Sequence, residues 1–189
     1  MKELIHKILN RLEGAKKVVF MGIGEEKLSD DGVGPYIISE FLTASNEKFL
    51  FINAAIDPMN RLDEIINFQT SHLIILDTCT LKKPPGTIAI IERQNIHESV
   101  PISSHTIPIH IVIDLLAEKL PDIKVFMIGF VPESLEGFSQ LTLYKENEIT
   151  LEERSENEDI PFFDINLSDT VQKAADEVIM IIKEIINIL

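Results

Sequence analysis

Four short runs of this 189-residue chain are apolar at successive rather than alternate positions: 17–22, 49–53 (Phe49-Leu50-Phe51-Ile52-Asn53), 72–77 (His72-Leu73-Ile74-Ile75-Leu76-Asp77) and 123–130. A strand that is apolar on both faces must be covered on both faces, and such sheets are built from parallel strands crossed by helices. The intervening stretches carry helix-length apolar patterns at about 32–44, 59–69 and 106–119, and a long one closes the chain at about 168–188. That order predicts an α/β fold, a three-layer αβα sandwich around a mostly parallel five-stranded sheet. The fifth run, 87–92, follows Lys82-Lys83-Pro84-Pro85-Gly86 too closely after a strand for a helical crossover, so it is predicted to be an antiparallel edge strand.

The chain is long enough for one well-buried core and short for two, so a single domain over 1–189 is expected. Residues 144–166 hold eight acids against two bases without sustained periodicity and are expected to form a solvated loop. A formal charge of −14 argues against nucleic acid or an anionic membrane as partner, since either needs a basic face. Cys79 stands alone, which excludes an internal disulfide and a cysteine-based zinc site and fits a reducing compartment. The first thirteen residues place apolar side chains (Leu4, Ile5, Ile8, Leu9, Leu12) at helical spacing, unlike a signal peptide, and no apolar run reaches a membrane-spanning length. A cytoplasmic, soluble protein is expected.

The junction after the first strand carries the chemistry. Gly22-Ile23-Gly24 leads into Glu25-Glu26-Lys27-Leu28-Ser29-Asp30-Asp31-Gly32-Val33-Gly34-Pro35, which places four acids between a buried strand and a helix. Glycine turns there usually cradle phosphate, but these acids repel phosphate and suit a cation, with Asp31 close enough to the helix start for the backbone dipole to favour its charged form. In a parallel sheet, ligands gather at the carboxyl ends of strands near the point where strand order reverses. Asp31, Asp77 at the end of the third strand, and His105 in Ile102-Ser103-Ser104-His105-Thr106-Ile107-Pro108 all fall where that rule places a site. Two carboxylates and an imidazole suit a borderline divalent ion such as nickel or zinc and leave positions for a partner's ligands.

Each residue also has a structural reading. Asp30 and Asp31 fit N-cap and first-turn acids of the helix that starts near Gly32, Asp77 a turn with Thr78 and Thr80, and His105 a helix start among Ser103, Ser104 and Thr106. An acid flush with the end of a buried strand is nonetheless costly unless paired. His72 is expected at the opposite strand end, His110 within the following helix, and His6 and His97 on the surface. Cys79 reads as a small core residue, and Leu81-Lys82-Lys83-Pro84-Pro85 as an exposed turn.

Taken in order, the GxG, Asp-Asp-Gly-Val-Gly-Pro opening a helix, HLIILD, SSHTIPIHIVIDLL and GFVPESLEGF motifs, across about 17–138, resemble those of the hydrogenase maturation endopeptidases. The Ser-His-Thr-Ile-Pro form and the Glu-Gly-Phe ending look most like the branch serving hydrogenase-3-like, energy-converting enzymes. The resemblance implies a cytoplasmic peptidase that removes a C-terminal extension from the large-subunit precursor of a nickel-iron hydrogenase once nickel is inserted. It also implies that the nickel is carried by the substrate, with none required to be stably bound by the free protein, and that Asp31, Asp77 and His105 contact it. A single copy is expected to suffice. The base for peptide hydrolysis stays open among Asp31, Asp77, Glu25 and Glu26, in an aspartic-type or metal-assisted reaction.

Two positions depart from the family pattern. Glu25 stands where asparagine is common, and Asn53-Ala54-Ala55 where Asp-Gly-Gly is common. If that aspartate were catalytic in relatives, then the chemistry here resides elsewhere, Asp57 substitutes, or activity is lost. The last case defines the alternative, a non-cleaving nickel-site sensor or assembly chaperone of the same fold. A dinucleotide-binding enzyme fails on spacing, because the third glycine of GxGxxG would fall on Lys27.

Overall fold

Buried strands and amphipathic helices alternate along the chain in the order their apolar patterns dictate. The computed structural model describes residues 2–99, 107–135 and 166–189. Helix α1 (Lys2–Arg11) precedes β1 (Val18–Ile23), α2 (Val33–Ser39), β2 (Phe49–Ala55), α3 (Leu62–Asn67), β3 (His72–Thr78), β4 (Ile88–Glu92), α4 (Ile96–Ser99), α5 (Ile109–Lys119), β5 (Lys124–Phe130) and α6 (Asp169–Ile188). The five strands form one sheet in the order β2-β1-β3-β5-β4. β1, β2, β3 and β5 run parallel, and β4 pairs antiparallel with β5 at the edge. Both expectations for the sheet hold.

Side-chain parity on the strands divides the core in two, because successive residues face opposite sides of the sheet. Val18, Phe20, Ile74, Leu76, Phe126, Ile128 and Phe130 meet α1, α2 and α6. Val19, Met21, Ile23, Leu73, Ile75, Val125 and Met127 meet α3, α4 and α5. Every residue of the central strands β1 and β3 is buried, which is why their sequences are unbroken apolar runs rather than alternating ones. Edge strand β4 is only half covered, with Ile91 its one buried residue.

Helix boundaries depart modestly from the periodicity. The pattern at 32–44 yields α-helix only over Val33–Ser39, where the Ser39 hydroxyl donates to the Tyr36 carbonyl at 2.7 Å. Side-chain competition of this kind weakens a helix at its end. The pattern at 59–69 becomes a 3-10 turn, Pro58–Arg61, followed by Leu62–Asn67. Helix α5 begins at Ile109, behind Pro108, and not at 106. Proline at its boundary disfavours helical geometry in the residue before it.

The seating of α2 fixes the site. A Cβ on Gly34 would lie 2.3 Å from the Leu76 carbonyl oxygen and 2.5 Å from that of Ile23, so only glycine lets the first helix turn rest directly on β1 and β3. No described helix is long and apolar enough to cross a membrane.

Candidate functional site

Strand order reverses between β1 and β3: the chain leaves β1 toward β2 on one side, and β3 lies on the other. The loops at their carboxyl ends therefore diverge and open a crevice. Asp31 enters it from the 3-10 turn Ser29–Gly32, and Asp77 from the penultimate position of β3. Both carboxylates are almost fully buried, at 3% and 1% exposure.

Polar groups of the same loops hold the two acids. The Glu25 amide donates to Asp31 Oδ2 at 2.8 Å, and the Thr78 amide to Asp77 Oδ1 at 2.6 Å. Thr78 Oγ1 lies 3.4 Å from Asp31 Oδ1 and 3.5 Å from Asp77 Oδ1, so one hydroxyl stands between the carboxylates with a single proton to donate. Backbone amides aimed at a carboxylate favour its charged form and fix its direction. The turn that carries Asp31 depends on Gly24, whose φ of +132° no L-residue adopts easily and whose Cβ would come within 1.8 Å of the Asp31 carbonyl oxygen.

The structure thus brings two of the three expected metal contacts together. His105 lies outside the described residues, as do Ser103, Ser104 and Thr106 and most of the acidic stretch 144–166. Among the described residues, no group of three histidine, cysteine or acidic side chains is arranged to hold a metal. Asp31 and Asp77 form a buried pair of carboxylates among the described residues.

The N-cap part of the reading of Asp30 and Asp31 is overturned, while both acids do lie in the first turn of the 3-10 segment Ser29–Gly32 that leads into α2. Residue Gly32 occupies the cap of α2, and no side chain caps either that helix or the preceding 3-10 turn. Asp30 is instead fully buried and accepts hydrogen bonds from Glu133, Ser134 and Ser168. The turn reading of Asp77 holds in part, since its carboxylate bonds Thr78, whereas the Thr80 amide goes to the Ser99 carbonyl at 2.7 Å. Thr78 is the expected partner of Asp77, and what sequence reasoning missed is that its hydroxyl also reaches Asp31. The signal was a hydroxyl directly after the strand-ending aspartate.

The loop acids differ in their engagement. Glu25 is half-buried and accepts from the Lys27 amide at 3.2 Å, and exposed Glu26 accepts from Asn53 Nδ2 at 3.2 Å. Asn53 also accepts the Ala55 amide at 3.0 Å, bracing Ala55 in the left-handed region at φ 46°. Asp57 lies in the turn after β2, where its carboxylate accepts from Asn60 Nδ2 at 2.6 Å. A groove of about 590 Å³ runs beside this loop, lined by Glu25, Glu26, Pro35, Tyr36, Ala55 and Gln172 among others.

The remaining candidates sit as structural residues. Cys79 is fully buried, and burial together with the Asp77 carboxylate pushes its thiol up to about 12, which leaves it protonated and inert. His72 starts β3 at the far end of the sheet. Its Nδ1 lies 3.0 Å from Ser71 Oγ, its Nε2 has no partner among the described residues, and burial, then the Lys124 charge, pushes its pKa down. His110 lies in α5, and His6 and His97 are on the surface, as expected.

A family model described as hydrogenase maturation protease, of the HycI type, matches residues 35–153, more than half of the chain. The chain belongs to this family. The matched span contains Asp77 and His105, and Asp31 lies just before it. A hydrogenase maturation protease from this family is a peptidase, and the buried acid pair at the switch point is its candidate active site. A putative hydrogenase maturation protease of Methanocaldococcus jannaschii is 29% identical over 144 residues, covering 72% of this chain and 82% of the relative. The hydrogenase 3 maturation protease of Escherichia coli is 26% identical over 124 residues, covering 66% and 78%. Among solved structures, the [NiFe] hydrogenase maturation protease HycI of Thermococcus kodakarensis shares the fold, with a TM-score of 0.71, 18% identity and 95% and 98% of the two chains covered. The HycI endopeptidase of Escherichia coli superposes with a TM-score of 0.64 at 22% identity, covering 87% of each chain.

Proposed function

We propose that this protease removes the C-terminal extension of a nickel-iron hydrogenase large-subunit precursor after nickel insertion, and that it recognises the nickel carried by the substrate. The observation that carries the proposal is the pair of buried carboxylates, Asp31 and Asp77, held on either side of the Thr78 hydroxyl at the switch point of the sheet. Two oxygen donors of this kind, with His105 as the imidazole, make an incomplete set for a borderline ion. An incomplete set binds free divalent ions modestly and closes fully only on a metal that arrives with ligands of its own. Reading the metal and positioning the precursor tail then become one event, which explains why cleavage would wait for insertion.

Once the tail lies across the carboxyl edge, hydrolysis requires a water positioned against the scissile carbonyl. One carboxylate of the pair accepts the water proton as the C–O bond forms, and that proton passes to the departing amine as the C–N bond breaks. The amide bonds from Glu25 and Thr78 hold the carboxylates in place, so little reorganisation accompanies the proton transfer. The protein acts in the cytoplasm as a monomer in this reading, and the HycI-type match together with the Escherichia coli relative supports a hydrogenase-3-like substrate.

Incubation of a nickel-loaded precursor with wild-type, Asp77→Asn and His105→Ala proteins tests the assignment. The wild type should shorten the precursor, and each variant should lose at least about a thousandfold in kcat/KM, equivalent to roughly 4 kcal/mol of transition-state stabilisation. Binding by the wild type without shortening would instead establish a nickel-site sensor.

A further inference from the structure

Asp30 is the one fully buried acid in the described structure that the proposed chemistry does not use. Its carboxylate accepts four hydrogen bonds from two remote stretches of chain. Oδ2 accepts from the Glu133 amide at 2.8 Å, the Ser134 amide at 3.0 Å and Ser168 Oγ at 3.0 Å, and Oδ1 accepts from the Ser168 amide at 2.7 Å. The Asp30 amide completes the knot by donating to the Ser134 carbonyl at 3.2 Å. The residue before it, Ser29, is held at φ 50°, a conformation that costs a non-glycine residue energy and persists only where its surroundings impose it.

We infer that Asp30 is a positioning residue for the peptidase reaction: it locks the 3-10 turn to the chain after β5 and to the start of α6, and so fixes the direction of Asp31 toward Asp77. The two acids are adjacent in one short turn, so their side chains leave it in different directions, and holding one orients the other. Ser168 also caps α6, accepting the Val171 amide at 3.4 Å, which ties the turn to the longest helix of the fold. A carboxylate suits this role because all its partners are donors. An amide at position 30 would turn an N–H toward at least one of them.

The inference rests on the peptidase reading, so its test includes one readout independent of cleavage. In Asp30→Asn, the hydrogen exchange of the Glu25 amide, which is bonded to Asp31 Oδ2, should accelerate at least tenfold while the Leu76 amide in the middle of the sheet keeps its protection. Unchanged protection at Glu25 would overturn the inference, whether or not the protein cleaves anything. In the cleavage assay, kcat of Asp30→Asn should fall at least about a hundredfold with KM within threefold of wild type, measured well below the melting temperature. Ile181→Ala, which opens a cavity in the fully buried face of α6, serves as a destabilised control and should keep its kcat. Equal kcat in Asp30→Asn and wild type, or an equal loss in the control, would reduce Asp30 to a purely structural residue. Should Asp30→Asn fail to fold, Ser168→Ala removes one of the four bonds, and an unaltered Glu25 exchange rate there would count against the inference in the same way.

Discussion

The hydroxyl of Thr78 shows how finely the acid pair is set. Replacing it by the nearly isosteric valine removes the proton that Asp31 and Asp77 share, leaves the backbone bond from residue 78 to Asp77 in place, and opens no cavity. Thr78→Val should therefore change stability by no more than about 1 kcal/mol and lower kcat by about tenfold, as read from chemical denaturation and from precursor cleavage. Unaltered kcat would show that the hydroxyl is a bystander. At the opposite end of the sheet, His72 makes a different prediction. Its folded pKa is depressed by burial, with Lys124 adding to the effect, while the unfolded chain binds its proton near the ordinary value of about 6.5. Between those values the unfolded state holds more protons, so stability rises with pH there. Stability should accordingly be lost as pH falls below about 6.5 and level off beneath the folded pKa. His72→Phe should flatten that slope in urea titrations taken from pH 7.5 to 5.5, and an identical slope in the variant would contradict it. The doublet Asp30-Asp31 marks the limit of sequence reasoning at this scale. Both residues read alike as N-cap and first-turn acids, and what separates them is contact with residues 133, 134 and 168, more than a hundred positions away.

Among the elements, the strands were legible because burial on both faces leaves no polar register to hide in. The antiparallel edge strand was legible from loop length alone, since the Pro84-Pro85-Gly86 turn cannot span a parallel crossover. Helix ends were less so. The shortening of α2 to Val33–Ser39 and the split of 59–69 into a 3-10 turn and a helix depend on local hydrogen bonds and on packing that apolar periodicity does not encode. The four-residue helix α4 is too short to leave a periodic signal at all. Helix α2 carries the sharpest element-scale prediction. Gly34→Ala forces a methyl to within 2.3 Å of the Leu76 carbonyl oxygen, where backbone and not a flexible side chain must move. The substitution should cost more than about 3 kcal/mol, beyond ordinary overpacking, and should displace α2 from the sheet. A melting temperature within a few degrees of wild type would show that the helix has room to shift.

Across the whole molecule, topology turns these local features into a site. The apolar runs that build the sheet also decide where its order reverses, and Asp31 and Asp77 flank that point because they end or follow β1 and β3. Their juxtaposition could be anticipated from the sequence for this reason, whereas the Thr78 bridge and the Asp30 knot required the three-dimensional register. The acidic excess of 31 Asp and Glu over 17 Lys and Arg suits the proposal that the site receives a cation. In the proposed reaction, metal delivered by the substrate completes this carboxylate site and permits cleavage. Intact mass of the precursor, nickel-loaded and nickel-free, before and after incubation with the protein tests it most directly. Loss of a C-terminal peptide from the nickel-loaded chain alone is the predicted result; equal shortening of both chains would contradict it.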